Sequence, residues 1–374
     1  MSNRSRKPKR IIAAALTTLF LSHQTMLLSV VATEISGVTG SNGVYNITPS
    51  ALINGSDIGY RKYNDFNLDK GDVANLIYKY GATDISTFVN LVDNKINING
   101  LVNTVRDGNF YNGKAIFVSP NGMVVGASGV LNVGSLGVYT PSSQIYDNYK
   151  KNPTANMTAL TESNNGKPIT INGKVIAAND VTLSGGKVTV GKGGGIIAGV
   201  NESKMTTFGK GENAQADALF NQLVNTDNLN AANGFASNNG NIYITTNQTS
   251  ENAGVNISGE VKNFGKGNIE VRNIGTDGIN IAGNISNANG LVKLNNNNGD
   301  LNISGNVRNN GTTQIFNVPA EGQEVTFDDN GIKYTYKVDT KSGLNITGNI
   351  DTKGKTTITN TGDNGLNISG TVNN

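Results

Sequence analysis

Five near copies of one heptapeptide run through the last third of the chain: Val255–Val261, Ile279–Ile285, Leu301–Val307, Leu344–Ile350 and Leu366–Val372. Their starts lie 24, 22, 43 and 22 residues apart, and a second apolar cluster (Ile269, Val292, Ile315, Ile358) follows about 14 residues after each of the first four. Within Leu301–Val307, positions 301, 303, 305 and 307 are Leu, Ile, Gly and Val, whereas 302, 304 and 306 are Asn, Ser and Asn. Successive side chains of a strand point to opposite faces, so each copy has one apolar and one polar face. A lone strand of this kind cannot bury its apolar row. Stacking 22-residue coils about 4.8 Å apart pairs every backbone group and encloses a continuous aliphatic interior. Self-similarity at a fixed period is the mark of a solenoid.

Ile96–Val102 and Ile169–Val175 obey the same parity, which extends the solenoid upstream. The expectation is an all-β, right-handed parallel β-helix from about residue 37 to 374, with roughly 12–15 coils over about 60–70 Å. Ile257, Ile281, Ile303, Ile346 and Ile368 should form one stacked interior row. The recurrent inward glycine reads as a corner where a side chain would crowd the lumen. Outward Asn256, Asn280, Asn302, Asn345 and Asn367 can chain their amides into a surface ladder. The 43-residue gap is one coil plus an insertion, in which Glu324–Val338 with Asn330-Gly331 at its centre predicts a projecting hairpin. One segment departs from the β pattern. Ala216, Leu219, Phe220, Leu223 and Val224 fall at helical spacing, predicting a single short helical excursion over 211–230.

Composition agrees with a turn-dense β protein: 60 Asn and 47 Gly among 374 residues supply backbones that tolerate positive φ. Arg4, Arg6, Lys7, Lys9 and Arg10 precede the apolar runs Ile11–Leu21 and Met26–Ala32, which reads as a signal peptide cut before Thr33 and handled by the signal-peptide export machinery. A membrane anchor is the alternative, but Ser22-His23-Gln24-Thr25 would place polar groups at mid-bilayer. Removing residues 1–32 takes away five cations, so the formal charge falls from +3 to −2, and the only histidine, His23, is lost. Without Cys and His the chain has no disulfide framework, no Ser-His-Asp triad and none of the usual zinc ligands. No basic stripe suggests nucleic acid. Gly191-Lys192-Gly193-Gly194-Gly195 lacks the spacing of a phosphate loop and reads as a turn. No catalytic residue, cofactor or metal site is therefore expected.

The blocks Thr87–Val92, Ile96–Val102 and Lys114–Leu136 follow in the order seen in two-partner secretion domains of filamentous haemagglutinins, and the chain resembles that family over about residues 33–210. Tyr63–Ile77 looks most like the leukotoxin-type filamentous adhesins. Ser119-Pro120-Asn121-Gly122 stands where the family carries its Asn-Pro-Asn-Gly turn, with Ser119 in place of the first Asn, and no second such motif occurs. The residues themselves suit a β-turn that closes a coil. The resemblance implies that the same turn belongs to the surface read by an outer-membrane transporter. With the secretion domain (33–210) that the resemblance implies, the chain divides into a signal peptide (1–32), that domain, the helical excursion (211–230) and β-helix repeats (231–374), in a protein expected outside the cell by way of the periplasm. The expected work is contact with a host glycan or protein receptor. A β-helix polysaccharide lyase or hydrolase, which needs carboxylates converging in a groove, and a purely structural surface protein are the alternatives. The chain stops within a period and without a polar cap, as a part of a longer repeat protein would.

Overall fold

The computed structural model describes residues 32–161, 166–226, 234–237, 239–249, 252–317, 321–329, 332–338 and 341–374. The leader read over 1–32, apart from its last residue, lies outside them, as do the hairpin tip Asn330-Gly331 and residues 227–230.

Three sheets wrap one core. The first runs from Glu34–Ile35 to Leu366–Ile368 in 11 strands, and the second from Val44–Ile47 to Thr371–Asn373 also in 11, with Asn109–Phe110 paired antiparallel onto Leu101–Arg106 as a twelfth. The third runs from Ala51–Leu52 to Thr356–Asn360 in 11. Consecutive strands of the chain go to different sheets, and strands of successive coils pair in parallel, as in Ile281 with Ile303 and Val292 with Thr313. This is a three-sided parallel β-helix. Antiparallel pairs occur at its N-terminal end, where Glu34–Ile35 lies against Phe66–Asn67 and Ala51–Leu52 against Gly59–Tyr60. The parallel stack therefore begins at Val44, rather than at residue 37, beneath a folded-back cover that blunts the open sheet edges.

The five isoleucines are successive partners in the first sheet: Ile257 with Ile281, then Ile303, Ile346 and Ile368. The first four are at most 1% exposed, whereas Ile368, on the last coil, is 43% exposed. Each heptapeptide spans two sheets, not one strand. Leu301–Ile303 belongs to the first and Asn306–Asn309 to the second, with Ser304-Gly305 as the corner between them. The glycine is required for a reason other than lumen crowding. A Cβ on Gly305 would meet the carbonyl oxygen of Gly283 in the coil below, and Gly283, Gly348 and Gly370 stand in the same relation to their own neighbours. Backbone stacks on backbone here. Gly305→Ala is expected to cost about 1–3 kcal/mol by overpacking, whereas Ser304→Ala, at an exposed position of the same corner, should be close to neutral. Denaturation of the two variants checks this.

Three expectations change. The stack is 11 strands deep rather than 12–15, about 50 Å at the strand spacing, because excursions around 140–168, 199–241 and 318–343 consume chain without adding coils. The last of these carries the hairpin, Glu324–Asp329 against Ile332–Lys337. Among the described residues there are two helices, not one: α1, Ser143–Lys151, and α2, Asn213–Val224. The asparagines also do more than face solvent. The outward bonds Asn302 to Asn280 and Asn345 to Asn302 are present, both 3.0 Å. A second, buried ladder runs inside the corner after the third sheet: Asn273 donates to Asn296, Asn296 to Asn317 and Asn317 to Asn360, at 2.8, 2.8 and 2.7 Å. Stacked amides satisfy one another, so the polar groups can sit in the interior.

Candidate functional site

The Ser119–Gly122 turn joins Lys114–Val118 of the third sheet to Met123–Val125 of the first. Gly122 has φ +90°, which a side chain would strain, and an added Cβ would meet the Pro168 carbonyl of the next coil. Ser119 is 1% exposed. Its Oγ donates to the Asn94 carbonyl at 2.7 Å and accepts the Asn121 N–H at 3.0 Å. Only Asn121 is exposed, with its Nδ2 donating to the Asp93 carbonyl at 2.7 Å.

Followed through the register of the third sheet, Ser119 occupies the same row as Thr140, Gly185, Thr246, Asn273, Asn296, Asn317 and Asn360. Asn273 and Asn360 close their corners as Ser119 does, accepting the N–H two residues on from Gly275 and Gly362. The turn thus shares with two later corners of the stack a device in which a side-chain oxygen replaces a backbone acceptor. What distinguishes this instance is the exposed amide of Asn121 and the cluster beside it.

That cluster is built by α1. Asp93, whose backbone holds Asn121, accepts Lys150 Nζ at 2.5 and 2.6 Å and the Tyr146 hydroxyl at 2.9 Å. Burial, then the bond to Asp93, pushes the Tyr146 phenol upward, so it stays a donor. Burial likewise pushes Tyr149 up to about 12, its hydroxyl donating to the Thr154 carbonyl at 2.7 Å. The segment 140–161 lies on the outer face of the third sheet, where Val89, Leu91, Ile116 and Val118 pack with Tyr146, Tyr149 and Leu160. The sequence reading missed α1, although Ser142 as N-cap after Pro141, and Lys150-Lys151 in the last turn, are start and stop signals.

The second sheet is covered in the same way. Residues 205–209 and α2 lie on it, bringing Phe208, Ala216, Phe220 and Leu223 against Val73, Leu101, Val130, Ile176 and Ile197. Lys262, from a later coil and only 5% exposed, donates to the carbonyls of Leu223, Val224 and Thr226 at 2.8, 2.9 and 2.8 Å. A cation on the last carbonyls of a helix satisfies groups the helix leaves open and complements its dipole. Gly191–Gly195 is a turn between Val188–Val190 and Gly195–Ala198. Among the described residues, no group of three or more Asp, Glu, His or Cys is placed to share a metal ion.

No known family model matches the chain, and no curated protein matches it. Among solved structures it is similar to the HMW1 secretion domain from Haemophilus influenzae, at 13% sequence identity and a TM-score of 0.41. That similarity takes in 92% of this chain and 98% of the other.

Proposed function

We propose that this chain is the exported N-terminal part of a two-partner secretion adhesin, whose first coils are recognised by an outer-membrane transporter and whose β-helix serves for contact at the cell surface. The observation that carries this reading is the placement of the resembling blocks. Thr87–Val92, Ile96–Ile98, Lys114–Val118, Met123–Val125 and Ser135–Tyr139 are adjacent strands of two neighbouring sheets, with the turn between them at a corner and the Asn121 amide exposed. A signal peptide and the absence of cysteine suit a chain that crosses two membranes before it folds. The repeat region presents an outward row of Asn, Ser and Thr with Glu260 at one end, where Asn284 donates to it at 2.5 Å and Asn306 and Asn349 continue the ladder at 2.9 and 3.0 Å. A hydrogen-bonding row of this kind, with Arg308 and Asp351 exposed beside it on the same sheet, supports weak, repeated contacts with a glycan or protein receptor, and their strength grows by multivalency. It supplies no converging acids for glycoside cleavage.

The test is the double variant Asn121→Ala with Gly122→Ala. It removes the amide and places a side chain at positive φ, a local loss of about 2–3 kcal/mol, and extracellular yield is expected to drop several-fold while leader removal is unchanged. Gly305→Ala costs a similar amount away from the turn and should leave secretion as it was. Unchanged yield from the double variant would overturn the role given to the turn.

A further inference from the structure

Residues 205–209 cross the outer face of the second sheet as a strap, and side chains of the sheet read the strap's main chain. Asn103 Nδ2 donates to the Phe208 carbonyl at 2.9 Å while its Oδ1 accepts the Phe208 N–H at 3.2 Å. One side-chain amide thus pairs with one residue's backbone in both senses, as a neighbouring strand would. Asn132 Nδ2 donates to the Thr206 carbonyl at 2.7 Å, one coil further on and two strap residues back.

Asn103 and Asn132 are the covered half of a longer row. Asn46, Asn75, Asn103 and Asn132 are register partners in successive coils, their amides chained at 3.0, 3.0 and 2.9 Å. The strap leaves this row at Gly209, whose N–H turns away to Glu212 Oε2 at 2.6 Å at the start of α2. Asn75 and Asn46 continue the row beyond it, the first half-buried and the second exposed. Beside them lies a shallow groove of about 400 Å³, lined by Asn46, Asn75, Ile77, Val105, Gly108 and Phe208.

We propose that this groove binds an extended peptide segment of a partner protein, its main chain continuing the line of the strap over Asn75 and Asn46. The occupant follows from the strap itself. The same row of amides already holds a main chain on the next two coils, at two residues per coil, and the groove begins where that backbone departs. Ile77 and Val105 form an apolar floor for one side chain of the guest, and Gly108 leaves the rim open. Recognition through the main chain would be tolerant of guest sequence, with the pocket adding a preference for an apolar residue.

Protein comprising residues 33–374, labelled at its asparagine side-chain amides, would be titrated by NMR with a blocked peptide copying residues 204–210. The same peptide N-methylated at alternate residues, and a neutral oligosaccharide, are the comparison probes. The proposal expects the Asn46 and Asn75 side-chain signals to shift with the plain peptide, and the methylated peptide to bind at least about tenfold more weakly, since its backbone donors are gone. Asn46→Ala, at the exposed end of the row, should weaken binding with the melting temperature unchanged. Asn75→Ala should abolish binding, with retained signals of the distant Asn273 and Asn296 side-chain amides as its fold check. No shift at millimolar peptide, equal binding of the methylated peptide, or shifts caused by the oligosaccharide alone would overturn it.

Discussion

A fragment of residues 33–210 is expected to fail to fold alone, whereas a fragment of residues 33–273 should fold cooperatively and resist protease. The shorter piece contains every coil that carries the secretion-domain resemblance and the strap 205–209, but it lacks α2, which completes the cover of the second sheet. Val73, Leu101, Val130, Ile176 and Ile197 all point outward there and are buried only because the strap and α2 lie on them. Uncovering a large aliphatic side chain costs about 1.5–3 kcal/mol, so Ile176 and Ile197, which lie against Phe220 and Leu223 of α2, together forfeit about 3–6 kcal/mol, a large share of a domain's whole stability of about 5–15 kcal/mol. Extending the fragment only to the end of α2 leaves the helix's last carbonyls without Lys262, which arrives with strand Glu260–Asn263 and its pairing to Gly195–Ala198. The folding unit is therefore expected to reach past the coils that carry the motif. Circular dichroism and limited proteolysis of the two fragments separate the outcomes. A stable, monomeric 33–210 fragment would show that α2 is dispensable.

The contrast between covered and naked faces was written in the sequence more plainly than the reading of it allowed. In Leu301–Val307 the apolar residues alternate with polar ones, so one face must meet water, and in the structure it does. In Phe88–Val92, Ala115–Val118, Val130-Leu131 and Ile196-Ile197 apolar residues are nearly consecutive, which is the pattern of strands buried on both sides. Such strands imply that something lies on top, and α1 and α2 are those coverings. Helix α2 was legible because Ala216, Phe220 and Leu223 recur on one face. Helix α1 was not, because its nine residues hold one aliphatic side chain, Ile145, and it packs through tyrosines among polar neighbours.

The stacked row of isoleucines could be read from parity because a strand's period of two leaves no other arrangement. The buried asparagine ladder could not. Asn296 and Asn317 end apolar strands, and only the register of neighbouring coils shows that each amide finds another directly above it. The turn at Ser119 was legible as a turn from Pro120 and Gly122. Its tie to Asp93, Tyr146 and Lys150 depends on residues up to 57 positions apart, and no local pattern announces them.

The second large effect concerns export itself. A parallel β-helix adds one coil upon the last, each burying its apolar row only when a neighbour is in place. The N-terminal end has what is needed to start the stack: the antiparallel cover, and edge-to-face contacts of Tyr63 with Phe66 and Phe66 with Phe117 at 5.5 Å. No disulfide has to form. A chain emerging N-terminus first can thus fold outside the membrane as it appears, and each completed coil opposes backsliding. On the proposed reading, export then depends on a transporter that accepts the chain by the segment forming its first coils. The most direct measurement is the extracellular yield of the full 374-residue chain in a bacterial host with and without a two-partner outer-membrane transporter. Protein beginning at Thr33 should accumulate outside the cell only when the transporter is present, with the leader-cleaved chain retained in the periplasm when it is absent. Equal release without the transporter, or retention in its presence, would contradict the reading of these coils as an export domain.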